Sequence, residues 1–321
     1  MATVLITGGT GLIGTALTKA LLEKNYKVII LSRKKDNGKH EQLHGNVSYA
    51  YWDIQNQTID KTAIAKADYI VHLAGAGIAD KRWTKERKKE IRESRVKGGE
   101  LIVSALLDSQ NKVKAVISAS AIGWYGADPE IPNPHPFRED DKADEGFLGQ
   151  TCFAWEKSIQ TLAATPVRVV NVRTGIVLSS EGGALEEFKR PLRFGVAAIL
   201  GSGRQVISWV HIEDLIRIYI MAIESEEMRG VYNAVAPSPA SNKEFTLQLA
   251  RIEKGNFFVP VYVPSIILKL VLGEMSIEVL KSATVSCEKL HYNGFTFLYP
   301  SVGVALKNIK NIVSADNHRR F

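Results

Sequence analysis

Strands alternating with amphipathic helices, and a glycine-rich turn that closes the first strand, predict an α/β fold built on a doubly wound parallel sheet. Residues 3–7 form a short apolar run that stops at glycines, as a strand buried on both faces does. The next stretch, 12–24, places Leu12, Ile13, Ala16, Leu17, Ala20 and Leu21 on one face of a helix. Residues 27–31, 47–52 and 68–74 read as the second to fourth strands, and 84–109 as a long charged helix. A fifth strand at 114–118, a helix at 147–164 and a sixth strand at 166–172 continue the alternation. Past Gly182-Gly183 it loosens: 206–210 and 231–235 suit further strands around a helix at 214–224. Beyond Pro237 regular alternation stops, which predicts a smaller C-terminal domain packed over the sheet. The expected division is 1–175 with 206–236 for the sheet domain, 176–205 with 237–313 for the smaller one, and a polar tail at 314–321.

Composition narrows the function. Apolar residues make up 45% of the 321, enough for a sizeable core. The net charge of +7 suits an anionic ligand. Its densest basic stretch, 81–97, is interrupted by Glu86, Glu90 and Glu93, as on a solvated helix, so no nucleic-acid partner is expected. Cys152 and Cys287 are too far apart for a metal-ligand spacing or a disulfide framework; the expectation is no metal and a reducing cytoplasm. No targeting segment is read at the start. The most apolar run, 257–272, contains Pro260, Pro264 and Lys269 and is too short to span a bilayer. It reads as a buried loop and core helix, with no membrane partner.

The turn itself points to chemistry. Gly8, Gly11 and Gly14 fall between a buried strand and an amphipathic helix, with Thr10, Leu12 and Ile13 between and after them. A pyrophosphate needs a tight turn, close backbone approach and the positive end of a helix, and this Rossmann arrangement supplies all three. The second strand ends in Ser32, Arg33 and Lys34 where NAD binding would call for an acid. A hydroxyl and cations suit a 2′-phosphate, so the expected cofactor is NADP. Asp36 lies later than a ribose-binding acid should.

These motifs resemble the extended short-chain dehydrogenase/reductase superfamily. Leu73, Ala74 and Gly75 resemble the segment beneath the cofactor, Asp53 the residue that meets the adenine, and Ser118 the fifth-strand residue beside it. The stretches 78–83, 118–126 (SASAIGWYG), 155–156, 173–178, 201–205, 209–214 and 272–274 are similar to a narrower group. That group is the YfcH-like, nucleoside-diphosphate-sugar-epimerase-like family with a C-terminal domain of unknown function. The resemblance implies a Rossmann sheet with a smaller C-terminal substrate-side domain, and NADP.

The superfamily's Tyr-x-x-x-Lys pair is absent. Ser120 matches the catalytic serine, but Cys152 stands where tyrosine should be and Glu156 where lysine should be, with Lys157 one position late. The candidate catalytic residues are therefore Ser120, Tyr125 and Glu156. Tyr125 either faces the nicotinamide or packs in its loop; Glu156 either accepts from the ribose or lies on a helix surface. Cys152 reads as an inert thiol, and Lys157 approaches the site only if its helix rotates. Arg82 and Arg95 clamp an anionic substrate or serve as ion-pair partners, and Arg173 ends a strand near the cofactor edge. His211 and Asp214 suit helix capping and packing more than catalysis. The expected function is an NADP-dependent oxidoreductase or epimerase on a small substrate, sugar-nucleotide-like molecules included; the alternative is a non-catalytic NADP-binding regulator. Two long helices leave room for a homodimer.

Overall fold

The computed structural model describes residues 1–33 and 45–318. The first half of the chain runs β1 (Thr3–Thr7), α1 (Leu12–Glu23), β2 (Lys27–Ser32), β3 (Val47–Asp53), β4 (Thr58–Ile59), α2 (Lys61–Lys66), β5 (Tyr69–His72), α3 (Lys85–Leu107), β6 (Ala115–Ala121) and α4 (Phe147–Ile159). It continues as β7 (Arg168–Thr174), β8 (Ile176–Leu178), α5 (Ala184–Leu192), β9 (Val196–Leu200), β10 (Val206–Ile207), β11 (Trp209–His211), α6 (Ile212–Glu224) and β12 (Gly230–Ala234). The rest is β13 (Ala240–Ser241), α7 (Asn242–Lys254), β14 (Val259–Val263), α8 (Ser265–Leu272), α9 (Ser276–Leu280), α10 (Glu288–Tyr292) and α11 (Val302–His318). α11 thus carries the backbone past Ser314 as helix.

One eight-stranded sheet has the order β12-β7-β6-β5-β1-β2-β3-β4. It is parallel except for the antiparallel β4. β1 lies between β2 and β5, so the winding reverses there and a crevice opens at the carboxyl ends of β1 and β5. Alternate residues of β1 feed two cores. Val4 and Ile6 pack with Leu17, Leu21 and Tyr219 from α1 and α6. Leu5 packs with Ile64, Leu101 and Ile102 from α2 and α3 on the other face. Burying a leucine such as Leu5 completely contributes about 2–3 kcal/mol, which is why a strand this short holds the centre of the sheet.

A third cluster gathers Leu178, Leu185, Trp209, Phe245 and Leu306 outside the sheet. α7 enters it behind a capping box between Ser241 and Glu244. Two expectations fail here. The stretch 206–210 is not one strand: β10 pairs with β13 and β11 with β8. Ser208 divides them, its carbonyl accepting the Ile176 amide while its hydroxyl donates to the Ala283 carbonyl. The stretch 257–272 is not a buried loop and core helix. Among the described residues β14 pairs only with β9, and α8 buries only Leu268. An apolar run reports content; burial also needs a neighbour, and no element among the described residues covers this one. Among the described residues, no helix is long and apolar enough to cross a membrane.

Candidate functional site

The crevice at β1 is shaped by glycines. Gly8 has φ +69°, and a Cβ on it would sit 2.9 Å from the Ala74 amide nitrogen. A Cβ on Gly14 would overlap the Gly8 carbonyl oxygen and lie 2.6 Å from the Gly9 Cα. The Gly11 amide donates to the Gly8 carbonyl at 3.0 Å, which closes the turn. Gly11 then caps α1 with no side chain on the helix end and no acid in its first turn. The first amides, including those of Leu12 and Ile13, are left for an anion. Thr10 and Gly11 are exposed, as a phosphate-binding rim must be. This cradle has the shape and polarity for a dinucleotide pyrophosphate.

The β5 exit is locked against the turn. The Leu73 and Ala74 amides both donate to Thr7 Oγ1, at 3.1 and 3.2 Å. The Thr7 proton therefore goes to His72 Nδ1, 2.8 Å away, which assigns His72 the neutral Nε2–H tautomer. That ring lies edge-on to Trp52 and Trp155. Burial, with the Arg95 charge, pushes the His72 pKa down to about 4. An unfolded histidine titrates near 6.5, so the unfolded chain binds the proton first as pH falls. This depressed group contributes stability that is complete above about pH 6.5 and lost between there and pH 4. Urea unfolding across that window is expected to show a loss of about 3 kcal/mol from this residue, absent in His72→Gln. Equal pH slopes for the two proteins would refute the assignment.

At the other rim, Ser32 is half-buried and Arg33 exposed at the end of β2. Lys34, Lys35 and Asp36 lie outside the described residues. Asp53 accepts from the Gln55 and Asn56 amides, the Asn56 side chain and the Tyr51 hydroxyl. Those bonds hold its pKa down and fix it at the turn after β3. Ser118 is buried in β6 and donates to the Ala119 carbonyl.

The catalytic candidates converge on one buried cluster. Cys152 and Glu156 are one α4 turn apart and both buried. β6 and β7 pair Ser120 with Arg173, and β7 and β12 pair Arg173 with Asn233. Ser120 Oγ donates to Glu156 Oε1 at 2.6 Å. Arg173 grips the same carboxylate bidentately, Nε to Oε1 at 2.8 Å and Nη2 to Oε2 at 3.0 Å. Burial alone would lower the Arg173 pKa; the Glu156 bonds and charge outweigh it and raise it. Glu156 is thus neither a helix-surface residue nor open to a ribose: it is buried, with Ser120 and Arg173 bonded to its carboxylate.

Tyr125 is corrected too. It does not face a nicotinamide: it is fully buried, donates to Asn233 Oδ1 at 2.7 Å and accepts from Arg173 Nη1 at 3.0 Å. It stacks on Phe137, and burial raises its pKa strongly despite Arg173. The phenol's proton goes to Asn233 and its oxygen accepts from Arg173, so it ties Arg173 to β12. The sequence places Arg173 at a strand end but carries no sign of its partner, which only strand register and the α4 packing reveal.

The remaining candidates separate cleanly. Burial and Glu156 push the Cys152 thiol up to about 12. Lys157 is exposed over Phe153, so no helix rotation brings it in. Arg95 is buried, donates to the Ala76 and Ile91 carbonyls and stacks on Trp155. It has no carboxylate partner among the described residues, so the ion-pair reading fails for it. Its guanidinium lies 3.0 Å from where a Gly75 Cβ would be, which links this cluster to the cofactor crevice. Arg82 is exposed beside Gly273, also without an ion pair among the described residues. His211 caps α6 by accepting the Glu213 amide, and Asp214 binds the Leu298 and Tyr299 amides. Both are structural.

Residues 4–234 match the NAD dependent epimerase/dehydratase family, and residues 263–309 match a domain of unknown function, DUF1731. An epimerase family protein of Staphylococcus saprophyticus is 35% identical across 95% of this chain and 98% of that protein. The crystal structure of the human epimerase family protein SDR39U1 (isoform 2), solved with NADPH, superposes with a TM-score of 0.83 at 30% identity, over 96% of this chain and 99% of that one. A nucleoside-diphosphate sugar epimerase from Corynebacterium glutamicum gives a TM-score of 0.74 at 29% identity, over 99% of this chain and 61% of that one.

Proposed function

The chain belongs to the NAD dependent epimerase/dehydratase family, and from that membership we propose that it is an NADP-dependent oxidoreductase or epimerase whose proton relay is Ser120–Glu156. The observation that carries the reading is the 2.6 Å bond from Ser120 to a buried, Arg173-held carboxylate in the place of the missing lysine. The NADPH-bound human relative supports the cofactor. The glycine cradle would hold its pyrophosphate, with Arg33 and Ser32 beside the 2′-phosphate and Leu73 to Gly75 beneath the ring. When bound, NADP supplies hydride exchange with a substrate carbon.

The direction of proton flow follows from the hydrogen bonds. Ser120 already gives its proton to Glu156, so its free lone pair accepts from a substrate hydroxyl. As the substrate alcohol loses its proton to Ser120, the serine proton passes to Glu156, and a carbonyl forms as the hydride leaves. The reverse sequence returns both. Arg173 and Tyr125 position the carboxylate and do not touch substrate. The substrate class is a hydroxylated small molecule of sugar-nucleotide type, supported by the Corynebacterium relative's description. The residues outside the sheet, 176–205 and 237–313, form its substrate-side part, and the cysteine usage fits a reducing cytoplasm.

The test is to saturate the protein with NADP+ and follow reduced nicotinamide by near-ultraviolet absorbance across a panel of nucleotide sugars and hydroxylated metabolites. Wild-type protein is expected to reduce the cofactor with at least one of them or, where the hydride returns to the same carbon, to convert it to its epimer, read by chromatography of the products. Ser120→Ala should lose about 10²-fold or more in rate while NADPH affinity stays. A rate unchanged in Ser120→Ala, or neither cofactor reduction nor an epimerised product across the panel, would sink the proposal. The regulator alternative rests only on the missing tyrosine and lysine, and the Ser120–Glu156 pair supplies a substitute for them.

A further inference from the structure

One feature that the crevice does not use is an apolar surface at β14 and α8. Every residue of β14 is exposed or half-exposed. α8, which follows directly, exposes Ile266 (67%) and Leu270 (72%). Phe194 (87%) and Phe257 (88%) stand at the start of β14, where the Val259 amide donates to the Gly195 carbonyl and joins the starts of β14 and β9. Exposed apolar residues scattered singly are ordinary; a continuous strand–turn–helix surface of them marks an interaction site.

Two observations decide what covers it. The parallel register turns the backbone amides and carbonyls of Val259, Val261 and Val263 toward β9 and leaves the backbone groups of Pro260 and Tyr262 on the outer edge. Pro260 has no amide to give, so the edge is blunted against another strand. From residue 254 to 273 the chain has no acid, and Lys254 and Lys269 are its only charged side chains. Two copies facing each other here would set lysines against lysines on a chain of net charge +7. A layer of anionic headgroups would neutralise them.

We propose that this face docks on the surface of a membrane containing anionic lipids. Phe194, Phe257, Ile266 and Leu270 enter the boundary between headgroups and acyl chains, and Lys254 and Lys269 meet lipid phosphates. α8 is eight residues long, so the contact is peripheral. This revises the expectation of no membrane partner without placing a span in the chain.

The full chain is to be sedimented with vesicles of phosphatidylcholine containing phosphatidylglycerol, and with vesicles of phosphatidylcholine alone. Pelleting with the anionic vesicles is expected, weakened by salt and by about fivefold for each of Lys254→Gln and Lys269→Gln. Leu270→Glu combined with Phe257→Glu should abolish it with the urea midpoint unchanged, since both side chains are exposed. Wild-type protein that stays in the supernatant overturns the proposal. So does equal pelleting with both vesicle types. A dimer by light scattering that Leu270→Glu splits, with no vesicle binding, overturns it in favour of a second copy.

Discussion

Arg173→Met is expected to destabilise the protein by about 3–5 kcal/mol, the cost of stranding a buried carboxylate. Its side chain is 2% exposed and that of Glu156 8%, so water cannot replace the lost partner. The variant also frees the Tyr125 hydroxyl from one bond and removes the cation stacked 3.6 Å over the Trp124 ring. A surface pair such as Lys24–Glu224, about half exposed on both sides, should cost less than about 1 kcal/mol when broken. The comparison that matters is the double variant. Removing both charges with Arg173→Met and Glu156→Leu should recover most of the loss, because neither charge is then left alone. Urea unfolding of the two singles and the double gives the cycle. Additive losses would mean that each residue acts through its packing, and that the pair does not hold the Ser120 relay in place.

That pair also marks where the sequence stops being informative. The β1–turn–α1 unit is legible because all its determinants lie within a dozen residues: apolar run, glycine spacing, helix period. The parallel sheet follows from the same alternation; the order of its strands is seen only in the structure. Glu156 is different. Its role depends on α4 lying against β6 and on β7 placing Arg173 opposite Ser120, contacts between residues 17 and 36 positions apart in the chain. Tyr125 misleads for a related reason, since its partner Asn233 is 108 residues away. The stretch 257–272 misleads in the other direction. Its hydrophobicity is real, but burial needs a covering element, and the described residues provide none.

Gly14→Ala is the second large effect, and here two influences compete. Gly14 lies inside α1, where alanine is the better helix former by about 1 kcal/mol, so propensity alone predicts a gain. Sterics oppose it. The new Cβ would meet the backbone of Gly8 and Gly9, which no side-chain rotation can clear. Overpacking of this kind costs about 1–3 kcal/mol, and the relief available is for α1 to move off the turn. That movement takes the helix amides away from the phosphate position, so NADPH affinity should fall by at least about tenfold even where the fold survives. Gly11→Ala separates the two influences: its Cβ would meet only the Gly8 carbonyl oxygen, at 3.4 Å, with an ordinary backbone angle. It should leave the urea midpoint nearly unchanged. Calorimetric NADPH titration of both variants decides the point. If Gly14→Ala binds as tightly as wild type and unfolds no earlier, the close approach of α1 to the turn is not what makes the cradle, and the exposed amides of the turn must suffice wherever the helix sits.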